Sequence, residues 1–312
     1  MGECMMELKG AALATDLPQL QQSYGGDSFN TSYYLARLSP PAWTVSFATS
    51  VGEDGISDRL LARWAKDRIA LSLVRRIPKR TIGVYLIETD DQGERSFSFW
   101  RSESAARRYF DVEQTPLEHM LAQSPGEVNI LYFTGISLAI LDASGRERLL
   151  STAARVQAQG GRVVFDNNFR PALWASPDEA RLWMVRAISA ADLALVTLDD
   201  HLALLGSPRL SEPSGAIDDV LACGAKTTVI KRGSLSTLAF LGKALCAEVP
   251  TITVPRVVDT TAAGDSFAAG YLLAEGHGLD MAIRLAWGNR LAAAVIQQPG
   301  AIVPVDRDLL SR

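Results

Sequence analysis

The sequence predicts an α/β protein with a largely parallel central sheet flanked by helices. Three observations predict it. From residue 128 onward, short apolar runs alternate with longer stretches of helical period, as βα units feeding a parallel sheet require. Polar residues and tight turns follow those runs, where such sheets hold their ligands. The chain has 312 residues, enough for two average domains or one large α/β unit with a full core.

The elements follow in order. Gly25-Gly26-Asp27-Ser28-Phe29-Asn30 is a glycine turn that leads into a helix from Thr31 to Leu38. Thr81 to Thr89 and Glu94 to Arg101 are strand-like runs split by Asp90-Asp91-Gln92-Gly93, which signals a hairpin, and they carry Tyr85, Phe97 and Phe99. Val128 to Thr134 is a buried strand. Ser144 to Gln159 is an amphipathic helix closed by Gly160-Gly161, and Arg162 to Asp166 is the next strand, ending in the polar turn Asp166-Asn167-Asn168. Pro177 to Ser189 is helical. Leu193 to Thr197 and Thr227 to Lys231 are strands, with helices near Asp199 to Leu205 and Ala216 to Cys223 between them. Gly264 to Ala274 and Asp280 to Ile296 are closing helices.

Composition limits the partners. Lys plus Arg number 31 and Asp plus Glu 35, a net charge of −4, which argues against a nucleic-acid or anionic-membrane surface and for small ligands. The 47% hydrophobic and 21% charged content lies outside the disordered regime. Three cysteines, Cys4, Cys223 and Cys246, lack a CxxC spacing and fit a reducing cytoplasm. With three scattered histidines, a zinc centre or a Ser-His-Asp hydrolase is hard to build. The opening apolar run contains Glu3 and Glu7 and reads as no signal peptide. No apolar stretch is long enough to span a membrane.

The stretch Asp259-Thr260-Thr261-Ala262-Ala263-Gly264-Asp265 carries the most chemistry. A small-residue turn runs straight into a helix, so free backbone N–H groups gather at a positive helix end, beside a carboxylate. A base next to an anion hole is what phosphoryl transfer needs. A capping aspartate has the same local signature. Near the N-terminus, Gly26 lets the backbone approach a ligand, and Asp27 and Asn30 stand one helical turn apart, able to grip sugar hydroxyls. A turn with an N-cap reads alike.

Taken whole, Asp259–Asp265 resembles the C-terminal signature of the ribokinase-like (PfkB) carbohydrate kinases, D-T-x-G-A-G-D, with Ala262 where that family usually has Gly. Gly25–Asn30 matches its N-terminal substrate motif. The resemblance spans nearly the whole chain and implies a three-layer α/β/α sandwich with a mostly parallel sheet and a small β lid. Residues 1–7, 25–72 and 102–312 would form the core, and 8–24 and 73–101 the lid. Asp265 would be the general base toward a sugar hydroxyl attacking ATP, and the N–H groups of Ala262, Ala263 and Gly264 would hold the transferring phosphoryl group. Relatives place a full apolar strand before the equivalent of Gly2-Glu3-Cys4, so either the start is misplaced or the first strand of the central sheet is short.

Gly2-Glu3-Cys4-Met5-Met6-Glu7-Leu8, Gly83–Thr89 and Phe165-Asp166-Asn167-Asn168-Phe169-Arg170-Pro171 narrow the resemblance to members that phosphorylate a 2-keto-3-deoxy sugar acid. By that resemblance Gly26, Asp27, Asn30, Tyr85, Phe99, Arg101, Asn168 and Arg170 contact the acid. Chemistry agrees for the two arginines, because a carboxylate is well held by a guanidinium fork. On the nucleotide side the resemblance implies Thr197, Lys231, Gly233, Ser234, Gly264 and Asn289, with Ser236 in place of the second Gly of a K-x-G-x-x-G turn. Asp200 would serve Mg²⁺ through water. An exposed apolar lid suggests a homodimer through the lid. The rivals are a fructokinase or ribokinase of the same fold and a non-catalytic sugar-acid binder.

Overall fold

A computed structural model describes residues 1–10, 19–89, 95–206 and 213–310. The alternation read from residue 128 onward builds a six-stranded sheet. Its order is Ala244–Val249, Thr237–Leu241, Thr227–Lys231, Leu193–Thr197, Arg162–Asp166, Ile130–Thr134. The last four run parallel, and the first two add an antiparallel hairpin at one edge.

Strand periodicity sorts the core into two layers, since successive side chains leave opposite faces of a sheet. Phe133, Phe165, Ala194, Val196 and Ile230 face the helices Ala143–Ala158, Pro177–Ala190, Leu198–Leu205 and Pro213–Ala222. Tyr132, Val164, Leu195 and Val229 face Phe267, Tyr271 and Leu285 of the helices Ala263–Gly276 and Met281–Val295. The result is the expected α/β/α sandwich. Local chemistry starts each crossover helix where it does. Asp142 accepts from Gly145 N at 2.7 Å, and Ser176 accepts from Glu179 N at 3.1 Å with Pro177 at the first helical position.

A second sheet stands apart, in the order Leu20–Gly25, Met5–Gly10, Val84–Thr89, Arg95–Trp100. Met5–Gly10 pairs in parallel with Val84–Thr89, which forms the expected hairpin with Arg95–Trp100. The turn residues 90–94 lie outside the described residues, as do 11–18 of the first lid segment. In the hairpin Tyr85 opposes Phe99 and Ile87 opposes Phe97. Tyr85 and Ile87 are buried with Met5, while Phe97, Phe99 and Trp100 are about half exposed.

Three boundaries differ from the sequence reading. Val74–Ile77, placed with the lid, pairs in parallel with Thr49–Gly52 and not with the second sheet. Residues 1–4 add no strand to the six-stranded sheet; Gly2 N donates instead to Ala48 O at 3.2 Å, and the first strand, Met5–Gly10, belongs to the second sheet. The first helix covers Asp27–Leu38, so it starts inside the glycine motif rather than after it. It can do so because Asn30 N bonds to Gly26 O at 2.7 Å, closing a helical turn over the motif residues themselves.

That helix is buried along most of its length and packs on Ala263–Gly276. Its other side is set by three rings. Phe29 lies 5.9 Å from Phe47 and 5.4 Å from Trp64, and Phe47 meets Trp64 edge-on at 5.3 Å. Trp64 is fully buried. Trp64→Ala should therefore cost about 3–5 kcal/mol through the cavity it leaves, read as a drop in Tm. A loss under about 1 kcal/mol would show that this cluster does not hold the helix.

Candidate functional site

The site lies at the carboxyl end of the parallel sheet, where Thr134, Asp166, Thr197 and Lys231 are the last residues of four strands. Above them begins the helix Ala263–Gly276. The loop before it is built by Asp259, whose Oδ1 accepts from Thr261 N at 3.0 Å and Thr261 Oγ1 at 2.6 Å, and whose Oδ2 accepts from Gly300 N at 2.9 Å. Ala263 N donates to Thr260 O at 3.2 Å, so one of the three expected phosphoryl donors is engaged inside the turn. Ala262 takes a left-handed backbone, φ +62°, a region where a Cβ is unfavourable. This is the position where the signature has Gly.

Asp265 is buried in the first turn of that helix. Asn30 Nδ2 donates to its Oδ2 at 2.8 Å, and Thr31 Oγ1 donates to its backbone O at 3.1 Å. Burial, and then the neighbouring Asp27 carboxylate, push the Asp265 carboxyl up to about 8; the Asn30 hydrogen bond pulls the other way. Asp27 is itself buried, its Oδ2 accepting from Thr134 Oγ1 at 2.5 Å and Asn168 Nδ2 at 3.0 Å. Asp27, Asn30, Asn168 and Asp265 thus converge from three elements.

The second sheet abuts this cluster. Gly26 sits so close to the opening segment that a Cβ there would lie 2.2 Å from Glu3 O, which explains the glycine. Arg101 is buried in an ion pair with Glu3, and Tyr85 donates to Glu7, which also accepts from Ser23 Oγ at 2.8 Å. Burial raises the Tyr85 phenol, so it stays a donor. Phe99 stacks on Tyr85 at 5.8 Å. Both expected acid-binding arginines already have a carboxylate partner, since the exposed Arg170 reaches Asp200 at 3.2 Å.

The remaining nucleotide-side residues are more dispersed. Thr197 N donates to Asn167 Oδ1 at 2.9 Å, tying its strand to the Asn167-Asn168 turn. Gly233, at φ +60°, and Ser234 form an exposed turn. Asn289 is buried and its amide is occupied: Thr237 Oγ1 donates to Oδ1 at 3.0 Å and Nδ2 donates to Pro250 O at 3.1 Å. Ser236, in place of the second Gly, accepts from Arg232 and donates to Glu248. Among the described residues no three His, Cys, Asp or Glu side chains could together hold a metal. Asp200, also accepting from Phe169 N at 3.2 Å, fits a carboxylate acting on Mg²⁺ through water, with phosphates as the main ligands.

Sequence reasoning missed Glu3, Glu7, Thr134 and Asp166 as site residues. Two of them had a signal: Thr134 and Asp166 are polar residues closing apolar strands. Glu3 and Glu7 are buried acids within an apolar run, equally visible once noticed.

The chain is similar to known proteins along nearly its whole length. The pattern of the pfkB family carbohydrate kinase matches residues 1–308. The 2-dehydro-3-deoxygluconokinase of Escherichia coli (strain K12) is 41% identical over 97% of this chain and 96% of its own length. That of Dickeya dadantii (strain 3937) is 39% identical over 98% and 96%. A crystal structure of fructokinase with bound ATP from Xylella fastidiosa superposes with a TM-score of 0.80 at 24% identity, covering 96% of this chain and 92% of that one. No helix of the described residues is long and apolar enough to cross a membrane.

Three outcomes follow from this geometry. Ala262→Gly relieves the left-handed Cβ and should raise stability by up to about 1 kcal/mol, a Tm gain near 2 °C; a lower Tm would show that the methyl packs better than its backbone strains. The Asp265 carboxyl lies above its ordinary value near 3.8, so the stability it contributes is present at low pH and is lost as pH rises to about 8. Asp265→Asn should therefore melt higher than wild type by a margin that widens between pH 5 and 8.5, seen in paired melting curves. If Asp265 must be ionised to act, kcat/KM rises with pH and levels above about 8, and Asp27→Asn moves that limb to lower pH. An unmoved limb would remove Asp27 as the cause.

Proposed function

The chain belongs to the pfkB family of carbohydrate kinases, and on that premise we propose that it transfers the γ-phosphoryl group of ATP to O6 of 2-dehydro-3-deoxy-D-gluconate, with Asp265 as general base. One observation carries the reading: a buried carboxylate of raised proton affinity stands in the first turn of a helix whose N-terminus lies beside the Lys231 strand end. The 2-dehydro-3-deoxygluconokinases at 39 to 41% identity support this substrate.

Asp265 accepts the O6 proton as the O6–phosphorus bond forms and the bond to the β-phosphate oxygen breaks, releasing ADP and the 6-phosphate. Asn30 orients the carboxylate by its 2.8 Å hydrogen bond. The N-terminus of Ala263–Gly276, with the Ala262 and Gly264 N–H groups, favours the charge that gathers on the phosphoryl oxygens. Asp200 would hold Mg²⁺ through water, and the ion would supply charge neutralisation on the phosphates. Asp27 and Asn168 hold sugar hydroxyls, while Tyr85, Phe99 and Arg101 approach the acid from the lid side. Arg170 exchanges Asp200 for the substrate carboxylate. The four strands of the second sheet, Met5–Gly10, Leu20–Gly25, Val84–Thr89 and Arg95–Trp100, act as the lid and exclude water during transfer. The exposed Phe97, Phe99 and Trp100 favour pairing of two such lids in a homodimer.

ADP release tests the reading. Turnover should be clear with the sugar acid and at least tenfold weaker with fructose or ribose; the reverse order would make the chain a neutral-sugar kinase. Asp265→Asn should lose about 10²-fold or more of kcat, and unchanged turnover would remove the assigned base. Arg170→Ala should raise KM for the acid far more than for ATP.

A further inference from the structure

The strands Arg162–Asp166 and Thr227–Lys231 flank Leu193–Thr197 in the sheet. Their last side chains meet across it. Lys231 Nζ donates to Asp166 Oδ2 at 2.7 Å, and both side chains are about nine-tenths buried or more. The sequence motif associates Lys231 with the nucleotide turn that follows it, yet its ammonium stands at the first turn of the helix Ala263–Gly276. A Cβ built on Gly264 would lie 3.4 Å from Nζ. Gly264 is the residue before Asp265 and part of the helix end that gathers backbone donors.

We propose that Lys231 is a cation that meets the phosphoryl group during its transfer, and that Asp166 is its positioning residue. The proposal rests on the kinase reading above and adds a catalytic residue and its support to it. Charge is the first reason. Asp27 and Asp166 both act on Asp265 as like charges, whereas Lys231 acts in the opposite sense. An incoming phosphoryl group brings further negative charge into the same space, and a helix N-terminus offers only about half a positive charge against it. A full positive charge at the hole supplies what the dipole lacks.

Geometry is the second reason. An ammonium has three N–H donors, and one goes to Asp166. Two remain to turn toward phosphoryl oxygens at the helix end. A buried ammonium needs a counter-charge to stay in place, because desolvation penalises it strongly when alone. Asp166 supplies that charge from a rigid strand end, and its other oxygen, Oδ1, accepts from Asn168 N at 3.3 Å. The carboxylate that aims the ammonium also fixes the turn that presents Asn168 to Asp27.

Kinetics of Lys231→Met, Lys231→Arg and Asp166→Asn, with melting curves for each, decide the matter. Lys231→Met should lose about 10²- to 10³-fold of kcat, the range for removing one preorganised donor from a developing anion. KM for the sugar acid should stay within threefold. Lys231→Arg should recover part of the loss, and Asp166→Asn should fall about 10- to 100-fold, as expected when an orienting partner is removed. A second readout is binding of ADP alone against ADP with aluminium fluoride and Mg²⁺. Lys231→Met should bind ADP as wild type does and lose most of the extra affinity that the fluoroaluminate brings.

A kcat for Lys231→Met within threefold of wild type would overturn the proposal. So would equal losses of affinity for ADP and for ADP with fluoroaluminate, the result expected of a residue that merely staples two strands. If Lys231→Met does not fold, the other two variants decide: Lys231→Arg must exceed Asp166→Asn in kcat, and the opposite order overturns the assignment. If wild type releases no ADP with the sugar acid, the substrate reading fails on its own, while the fluoroaluminate titration still tests Lys231.

Discussion

Three carboxylates, Asp27, Asp166 and Asp265, are buried together at the carboxyl end of one sheet, and their mutual repulsion is the constraint that the surrounding structure must meet. Each is met differently. Asp27 receives a hydroxyl and an amide, Asp265 receives the Asn30 amide and a helix N-terminus, and Asp166 receives the Lys231 ammonium. The donors come from the first helix, from strand ends and from the Asn167-Asn168 turn, so the elements must all be docked before the charges are tolerable. Function and fold are coupled through the same few bonds.

Much of this was legible in the sequence. Arg162–Asp166, Leu193–Thr197 and Thr227–Lys231 were bounded to the residue, because fully buried parallel strands leave unbroken apolar runs with polar ends. Asp259–Asp265 was legible because a loop that must turn tightly into a helix tolerates few residue types. What could not be read were contacts that depend on tertiary register. Lys231 meets Asp166 across 65 residues and Arg101 meets Glu3 across 98, and no local pattern marks such partners. Lid membership of residues 73–77 failed for a related reason: a short strand with mixed polarity does not say which sheet it will join. The helix start at Asp27 was hidden by glycine, which looks like a turn until the backbone bond from Asn30 to Gly26 is seen.

Under the proposed substrate, the arginines would confer selectivity through pairs rather than through free charges. Arg101 and Arg170 each hold a carboxylate of the chain itself. A sugar acid can share or replace such a partner at little electrostatic cost, whereas a neutral sugar that displaced it would leave a guanidinium less well matched. The modest overall charge of −4 is compatible with the two anionic ligands proposed, whose recognition would be local.

The interleaving of the second sheet has a consequence for how the chain reaches its working form. Met5–Gly10 lies between Leu20–Gly25 and Val84–Thr89, and Tyr85 bonds to Glu7 across 78 residues. A hairpin from residues 84–100 can zip locally, but its parallel pairing with the opening segment has to wait for a long loop to close. The six-stranded sheet takes no strand from the opening segment, although Met1 N donates to Tyr132 O at 2.6 Å beside it. Closing that loop makes the four-stranded sheet the entropically expensive one to complete, even though all its residues precede those of the six-stranded sheet in the chain.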